Sequence, residues 1–190
     1  GNTYDMISSD KRQFEWLLGE SILAAPLFGT DFLTAETRDV YLPEGTWIDY
    51  NSGEVLEGPM TIEAREYPID EMPIYIGGKG VLVGEDMENK GNYFAEIFPV
   101  TEGESIYQYT FVDGETTSTF KNQNEGWSPA TLKVTDTTAD KDVDYTYNEK
   151  NRSIKFAYEA GHDYVLTGGK GTVAVVSASC LLYTSPSPRD

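Results

Sequence analysis

The chain has 190 residues, of which 14 are basic and 32 are acidic, so its formal net charge is −18 at pH 7. A charge of this sign and size repels phosphate backbones and anionic lipid headgroups, which excludes nucleic acid and membrane surfaces as partners. No apolar run reaches the roughly 20 residues that a membrane-spanning helix needs. The length suffices for one ordinary domain or two small ones, and we expect two.

The first predicted element is a short amphipathic helix in the segment SSDKRQFEWLLGE, residues 8–20. Ser8 or Ser9 is a possible N-cap, apolar residues follow at helical spacing, and Gly19 is a typical stop. The next segment, SILAAPLF (residues 21–28), is an apolar run broken by Pro26, which is typical of a buried strand end. A helix followed by a strand is therefore expected over residues 1–28.

From residue 29 onward the pattern predicts β-structure almost throughout. Short apolar runs separated by Gly, Pro and Asn predict a small antiparallel β-sandwich over residues 29–84. The acidic, polar stretch at 85–91 is the best candidate for a linker. Seven further short strands, each bounded by turn residues, predict a second β-sandwich over residues 92–179. The expected fold class is mainly β, with two small antiparallel sandwiches.

Trp47 and Tyr50 lie close together in LPEGTWIDYNSGEVLEG, residues 42–58. Aromatic residues near a turn form either a sugar platform or the packed core of a hairpin. Period-two alternation places Trp47 and Asp49 on one face of the strand and Tyr50 on the other, and NSG fits a hairpin loop with Gly53 in the left-handed conformation. One aromatic ring on each face favours packing on both sides, so we expect Trp47 to be structural.

Few residues suggest chemistry of their own. Asp140, Asp142 and Asp144 alternate as in a calcium-binding EF-hand loop, but the sixth and twelfth positions are Tyr145 and Asn151 in place of Gly and Glu, so a polar strand or loop is favoured. His162 is the single histidine, which excludes a histidine cluster for zinc, and we interpret it as a turn residue. The sequence therefore predicts no catalytic, cofactor-binding or metal-binding residue and no cofactor.

The last segment differs from the rest of the chain. CLLYTSPSPRD, Cys180 to Asp190, has no periodicity and contains the single cysteine and two Ser-Pro steps. It resembles one translated frame of the transposase adapter used in sequencing libraries, so we expect residues 180–190 to be an artefactual tail without structure. Without Cys180 the chain has no thiol for a disulfide or a metal site.

Three phrases occur in an order that resembles the C-terminal part of glycoside hydrolase family 31. They are FEWLLGESILAAPLF, TRDVYLPEGTWIDYNSGEVLEG and PIDEMPIYIGGKGVLV, and AEIFPVTEGESIYQYTFVDGETTSTF resembles the family's distal sandwich less specifically. The resemblance implies that residues 1–28 are the end of a (β/α)8 catalytic barrel, 29–84 a proximal sandwich and 92–179 a distal one. The family's acidic turn appears here as Val112, Asp113 and Gly114.

The resemblance further implies a parent enzyme of α-glucosidase or α-xylosidase type that hydrolyses α-glycosidic bonds with retention. In the family the nucleophile and the acid/base come from barrel strands upstream of this segment, so the chain alone is expected to be inactive. Its expected partners are the catalytic barrel and, through the parent, an oligosaccharide or α-glycoside substrate. Phe14, Leu17, Leu18, Ile22 and Leu23 are then expected to form an apolar surface that packs on the barrel. The alternative is a free-standing carbohydrate-binding or adhesive β-module, which would display exposed, coplanar aromatic rings.

Overall fold

The computed structural model describes residues 15–19, 21–26, 37–68, 70–99 and 104–170. Within these ranges the chain is mainly β and contains no helix, so none of the described segments could cross a bilayer as a helix. The strands are β1 (Trp16–Leu18), β2 (Ile22–Ala24), β3 (Thr37–Asp49), β4 (Val55–Glu66), β5 (Ile74–Ile76), β6 (Val81–Glu85), β7 (Tyr93–Ile97), β8 (Ser105–Thr110), β9 (Thr117–Asn122), β10 (Lys133–Asp136), β11 (Lys141–Val143), β12 (Thr146–Tyr147), β13 (Ile154–Tyr158) and β14 (Asp163–Thr167).

The first unit is a five-stranded antiparallel sheet with the order β1-β2-β5-β3-β4. Its centre is the long β3–β4 hairpin. The short apolar runs of the sequence predicted short strands here, but irregularities between Arg38 and Val40 and between Leu42 and Gly45 let the chain continue as two long strands. Val40 and Trp47 of β3 belong to one core cluster, and Leu56, Met60 and Ile62 of β4 pack against it, so both strands of the hairpin contribute to the same core.

The predicted helix is wrong where the structure describes it. Residues 16–18 form β1, which pairs antiparallel with β2 so that Leu17 faces Leu23. Gly19 adopts φ of +63° and reverses the chain, a role for glycine that fits a tight turn as well as a helix end. The pairing satisfies the backbone groups of both short strands, and tertiary pairing of this kind overrides weak helical propensity. Residues 8–14 of the predicted helix and residues 27–36 lie outside the described residues.

The second unit is a β-sandwich, as the sequence predicted. One sheet has the order β11-β10-β14-β9-β8 and the other β12-β13-β7-β6. All pairs are antiparallel except β14 with β9, which are parallel. The seven strands predicted in this unit correspond to seven of its observed strands, because β13 and its neighbours alternate strictly between buried and exposed residues. The aromatic core between the sheets includes Phe120, Phe156, Tyr158 and Tyr164.

The predicted linker at 85–91 is the connection of a hairpin. β6, which the sequence analysis assigned to the first sandwich, pairs with β7 in the four-stranded sheet of the second unit. Asp86 closes the loop by accepting hydrogen bonds from the backbone N–H of Glu88 at 2.9 Å and of Asn89 at 3.3 Å. The chain therefore passes between the units in the short segment between β5 and β6, while the exact domain division at 84 and 92 stays a prediction.

The two units are in direct contact. Ile48 and Ile76 of the first sheet form a small core with Phe98 of the second unit, and Tyr50 packs beside Phe98 at a ring-centroid distance of 6.0 Å. Gly53, at the tip of the β3–β4 hairpin, lies against the backbone of Lys150. The outer face of the first sheet is thus covered by the second unit at this end.

Candidate functional site

Trp47, the candidate sugar platform, is a core residue. It is 5% exposed and packs with Leu23, Leu42 and Tyr75. Its indole Nε1 donates a hydrogen bond to the carbonyl oxygen of Pro43 at 2.8 Å. Gly77 lies beneath the ring, where a Cβ atom would come within 2.6 Å of it. Both the ring faces and the polar edge are occupied by the protein itself, so no surface remains for a sugar.

Asp49, on the same face as Trp47, holds the hairpin loop. Its Oδ1 accepts hydrogen bonds from the backbone N–H of Asn51 at 2.9 Å and of Ser52 at 3.0 Å, and its Oδ2 pairs with Arg65 at 2.7 Å. Gly53 has φ of +77°, which confirms its predicted left-handed conformation. The carboxylate is 2% exposed and fully engaged, which makes Asp49 a structural residue.

The neighbouring phenols are also structural. The hydroxyl groups of Tyr67 and Tyr75 are hydrogen-bonded to each other within the first core. Burial, together with this hydrogen bond and the nearby Asp49 carboxylate, raises the pKa of Tyr75 far above its usual value of 10.0. Tyr75 therefore stays neutral at physiological pH and cannot act as a base there.

The apolar surface expected from the sequence is present in part and is shifted along the chain. Leu17 and Leu18 are 40% and 56% exposed, and Trp16, which was not part of the prediction, is 47% exposed. Leu23 is fully buried in the first core, so that part of the prediction is wrong. Phe14 lies outside the described residues. We call Trp16, Leu17 and Leu18 the apolar edge, since β1 is the last strand of its sheet in the described part of the chain.

The acidic run that resembles a calcium loop is mostly strand. Lys141 to Val143 form β11 at the edge of the second sandwich, as the favoured interpretation of a polar strand or loop predicted. Asp142 and Asp144 line a broad cleft of about 1340 Å³ together with Phe94 and Lys155. The ammonium of Lys155 lies 3.8 Å from the centroid of the Phe94 ring, so a cation of the protein already covers that aromatic face.

His162 is in contact with two carboxylates, which no local pattern in the sequence predicts. Its Nδ1 is 2.8 Å from Oδ2 of the buried Asp136, and its Nε2 is 3.7 Å from Glu159. Oδ1 of Asp136 accepts the backbone N–H groups of Thr138 at 3.0 Å and Ala139 at 2.9 Å. Burial tends to raise the pKa of Asp136, but these hydrogen bonds and His162 lower it on balance. Carboxylate and imidazole can ligate metals, but the hydrogen bonds already account for the arrangement, which ties the end of β10 to the turn before β14.

A second, smaller pocket lies beside the cleft at the open edge of the sandwich. It has a volume of about 320 Å³, and four of its lining residues are aromatic: Tyr93, Tyr109, Phe111 and Tyr158. These residues do not stand out in the sequence, because alternating aromatics in a strand predict core packing. The pocket is formed only when the two sheets bring β7, β8 and β13 together.

Comparison with known proteins supports the resemblance found in the sequence. Residues 3–82 match the glycosyl hydrolase family 31 C-terminal domain. A 1,6-alpha-glucosyltransferase from Sporosarcina globispora is 36% identical over 70 residues, which are 36% of this chain and 5% of that protein. Alpha-glucosidase 2 from Bacillus thermoamyloliquefaciens is 30% identical over 125 residues, 62% of this chain and 14% of that protein.

Solved structures of the same family are also similar to the chain. A GH31 dextranase from Flavobacterium johnsoniae is 17% identical, with a TM-score of 0.36, over 76% of this chain and 25% of that one. Through residues 3–82, the chain is similar to the C-terminal domain of glycosyl hydrolase family 31.

Proposed function

We propose that the chain is the C-terminal accessory portion of a retaining α-glycosidase and that it supports the catalytic barrel without contributing catalytic carboxylates. The observation that carries this proposal is the match of residues 3–82 to a C-terminal domain of the family. The chain spans 5% and 14% of the lengths of the two curated relatives described above. The acidic residues at the sites described here are used in loops and ion pairs, which agrees with a supporting role.

The apolar edge is the part of the chain that would contact the barrel. Trp16, Leu17 and Leu18 present a half-exposed apolar strand, and contiguous exposed apolar side chains of this kind mark protein contacts. Burying one such leucine contributes roughly 1.5–3 kcal/mol. β1 is attached to the rest of the first unit at its start, because Glu15 accepts a hydrogen bond from the backbone N–H of Tyr41 at 3.1 Å.

Activity of the chain alone tests the first part of the proposal. The purified chain should not hydrolyse an aryl α-glucoside or an aryl α-xyloside above the rate of a buffer blank. The same assay on the complete reading frame, extended upstream of Gly1 at its genomic locus, should show turnover. Hydrolysis by the isolated chain would refute the statement that it lacks the catalytic carboxylates.

The contact with the barrel is tested in the complete reading frame with a matched pair of variants. Leu18→Ser changes the apolar edge, whereas Val112→Ser changes a fully exposed apolar residue of the second unit. Leu18→Ser should lower the melting temperature of the full enzyme and leave that of the isolated chain unchanged, while Val112→Ser should change neither. Equal melting temperatures for the two full-length variants would show that the apolar edge is not the contact.

A further inference from the structure

The small pocket of the second unit is bounded by residues from both sheets. Tyr93 comes from β7, Tyr109 from β8 and Tyr158 from β13, while Phe111 follows the end of β8. The pocket lies where the edge strands β6 and β8 leave the sandwich open. Its volume of about 320 Å³ lies at the lower end of the range of about 300–1,000 Å³ that small-molecule sites occupy. The space suits a single ring and is too small for a chain of several units.

The four rings are arranged as a box. Phe111 meets Tyr109 edge to face at 4.9 Å and 77°, and it meets Tyr93 in the same way at 5.1 Å and 78°. Tyr158 lies 5.7 Å from Tyr93 and 6.2 Å from Phe111 at tilted angles. These contacts hold each ring in place through its neighbours, so the walls of the pocket are preorganised.

The hydroxyl groups of three of these rings have no hydrogen-bond partner in the part of the chain that the structure describes. They belong to Tyr93, Tyr109 and Tyr158. Tyr158 is 5% exposed, and phenols with so much buried surface normally bond to the protein or to water. Its hydroxyl oxygen, however, is not fully enclosed by protein atoms. The oxygen therefore still reaches open space, and Tyr158 lines the pocket.

Two other tyrosines, the buried Tyr164 and the partly buried Tyr145, use their hydroxyls in hydrogen bonds within the protein. The hydroxyl of Tyr164 accepts the backbone N–H of Glu159 at 2.8 Å, and that of Tyr145 donates to the carbonyl oxygen of Pro129 at 2.6 Å. Burial and the neighbouring phenols of Tyr109 and Tyr93 raise the pKa of Tyr158. Its hydroxyl is therefore neutral, and it is available both to donate and to accept a hydrogen bond.

The carboxylates at the rim are engaged in their own loops. Asp113 accepts the backbone N–H and the Oγ1 of Thr116 at 2.9 and 2.6 Å, and Glu85 accepts the backbone N–H of Gly91 at 2.7 Å. The hydrogen bonds to Asp113 lower its pKa and fix the turn that follows Phe111. The groups left to contact a ligand are thus aromatic faces and uncharged hydroxyls.

We propose that this pocket binds one pyranose ring of a neutral sugar. A pyranose has apolar C–H faces that pack on aromatic rings, and it carries several hydroxyls that both donate and accept hydrogen bonds. It can therefore satisfy three phenols at once. A quaternary ammonium would use the rings but leave all three phenols without a partner, including the buried Tyr158, whereas p-cresol has only a single hydroxyl to offer them. The inference concerns the second unit alone and holds whether or not the chain supports a barrel.

Titration of the isotopically labelled full chain, followed by amide NMR, tests the proposal. The probes are methyl α-D-glucopyranoside and methyl α-D-xylopyranoside as sugars, and tetramethylammonium and p-cresol as competing chemistries. We expect saturable shifts with a sugar, confined to amides near residues 84–85, 93, 109–112 and 158. Absence of saturable shifts with both sugars, or saturation by tetramethylammonium or p-cresol in their place, would overturn the proposal.

Tyr158→Phe separates the hydroxyl from the ring. Because this hydroxyl has no partner among the described residues, the variant should keep the thermal midpoint of the wild type. Its affinity for the sugar should fall about five- to tenfold, the effect of roughly one hydrogen bond. Tyr145→Phe is the matched control: it removes a phenol that bonds to Pro129 outside the pocket, and it should leave the affinity unchanged. Equal affinities for Tyr158→Phe and the wild type would refute the assignment.

Discussion

Replacing Trp47 with alanine is the most direct test of how the first unit is held together. The ring is buried, its Nε1 is bonded to the carbonyl oxygen of Pro43 at 2.8 Å, and Gly77 packs directly beneath it. The substitution removes the largest apolar group of this core and leaves the Pro43 carbonyl without its donor. The glycine below cannot fill the space, because it has no side chain.

The expected loss of stability follows from the cost of truncating a buried tryptophan and from the total stability of the first unit. Truncation of a buried tryptophan to alanine costs about 3–5 kcal/mol through lost transfer energy and the cavity left behind. The unpaired carbonyl moves the expectation to the upper part of that range. At about 0.05–0.15 kcal/mol per residue, a segment as long as the matched residues 3–82 holds only some 4–12 kcal/mol. The variant should therefore lose between about a third and all of the stability of the first unit.

Urea unfolding of the full chain, followed by far-UV circular dichroism, measures this loss. With an m-value of about 2 kcal/mol/M, the midpoint of the first unit should fall by about 2 M. Trp16→Ala is the control, because Trp16 is 47% exposed and should cost less than about 0.5 kcal/mol. A Trp47→Ala variant as stable as Trp16→Ala would refute the core assignment, and one that stayed folded but lost affinity for an oligosaccharide would restore the sugar-platform interpretation.

Three further predictions concern other parts of the chain. Gly53→Ala should destabilise the chain in urea more than Gly91→Ala. Both glycines have positive φ, but a Cβ at Gly53 would lie 1.8 Å from a carbonyl oxygen, whereas a Cβ at Gly91 would have nothing within 4 Å. Equal losses of stability in the two variants would contradict this prediction. His162 and backbone N–H groups lower the pKa of Asp136, so the stabilising effect of this carboxylate is present above pH 3.8, its ordinary pKa, and is lost as the pH falls below that value. The melting temperature of Asp136→Asn should therefore depend less on acid pH than that of the wild type. Parallel pH profiles of the two proteins would contradict this prediction. Deleting residues 180–190 should leave the melting temperature unchanged, and a drop of several degrees would show that the tail is structural.

The strands of the second unit could be predicted because their signal is local. In β13, for example, buried Ile154, Phe156 and Tyr158 alternate with exposed Lys155 and Ala157, and this period of two belongs to strands alone. Trp47 was predictable for the same reason, since its place opposite Ile48 and Tyr50 follows from alternation within one strand. Both of these predictions needed only neighbours along the chain.

The remaining features depend on contacts between distant residues. Whether Trp16 to Leu18 form a helix or a strand is decided by pairing with β2, because Gly19 fits both outcomes. The assignment of β6 depends on its pairing with β7 across a loop that reads as a linker. His162 and Asp136 are 26 positions apart, and the aromatic pocket joins residues from opposite sheets. A single sequence contains no local pattern that reports such contacts.

The junction between the units gives the β3–β4 hairpin a second function beyond its own fold. Its tip lies against the backbone of Lys150, and beside it Ser153 lies within hydrogen-bond distance of the buried Glu96 and of Asn151. All three side chains belong to the second unit, and their hydrogen bonds hold the loop against which the hairpin tip lies. Burial and the charge of Glu96 also raise the pKa of Tyr50 on the adjoining face, which keeps that residue neutral in the contact. The first unit is thereby held from two sides: Trp47 packs on its own core, and Tyr50 and the hairpin tip pack on the second unit.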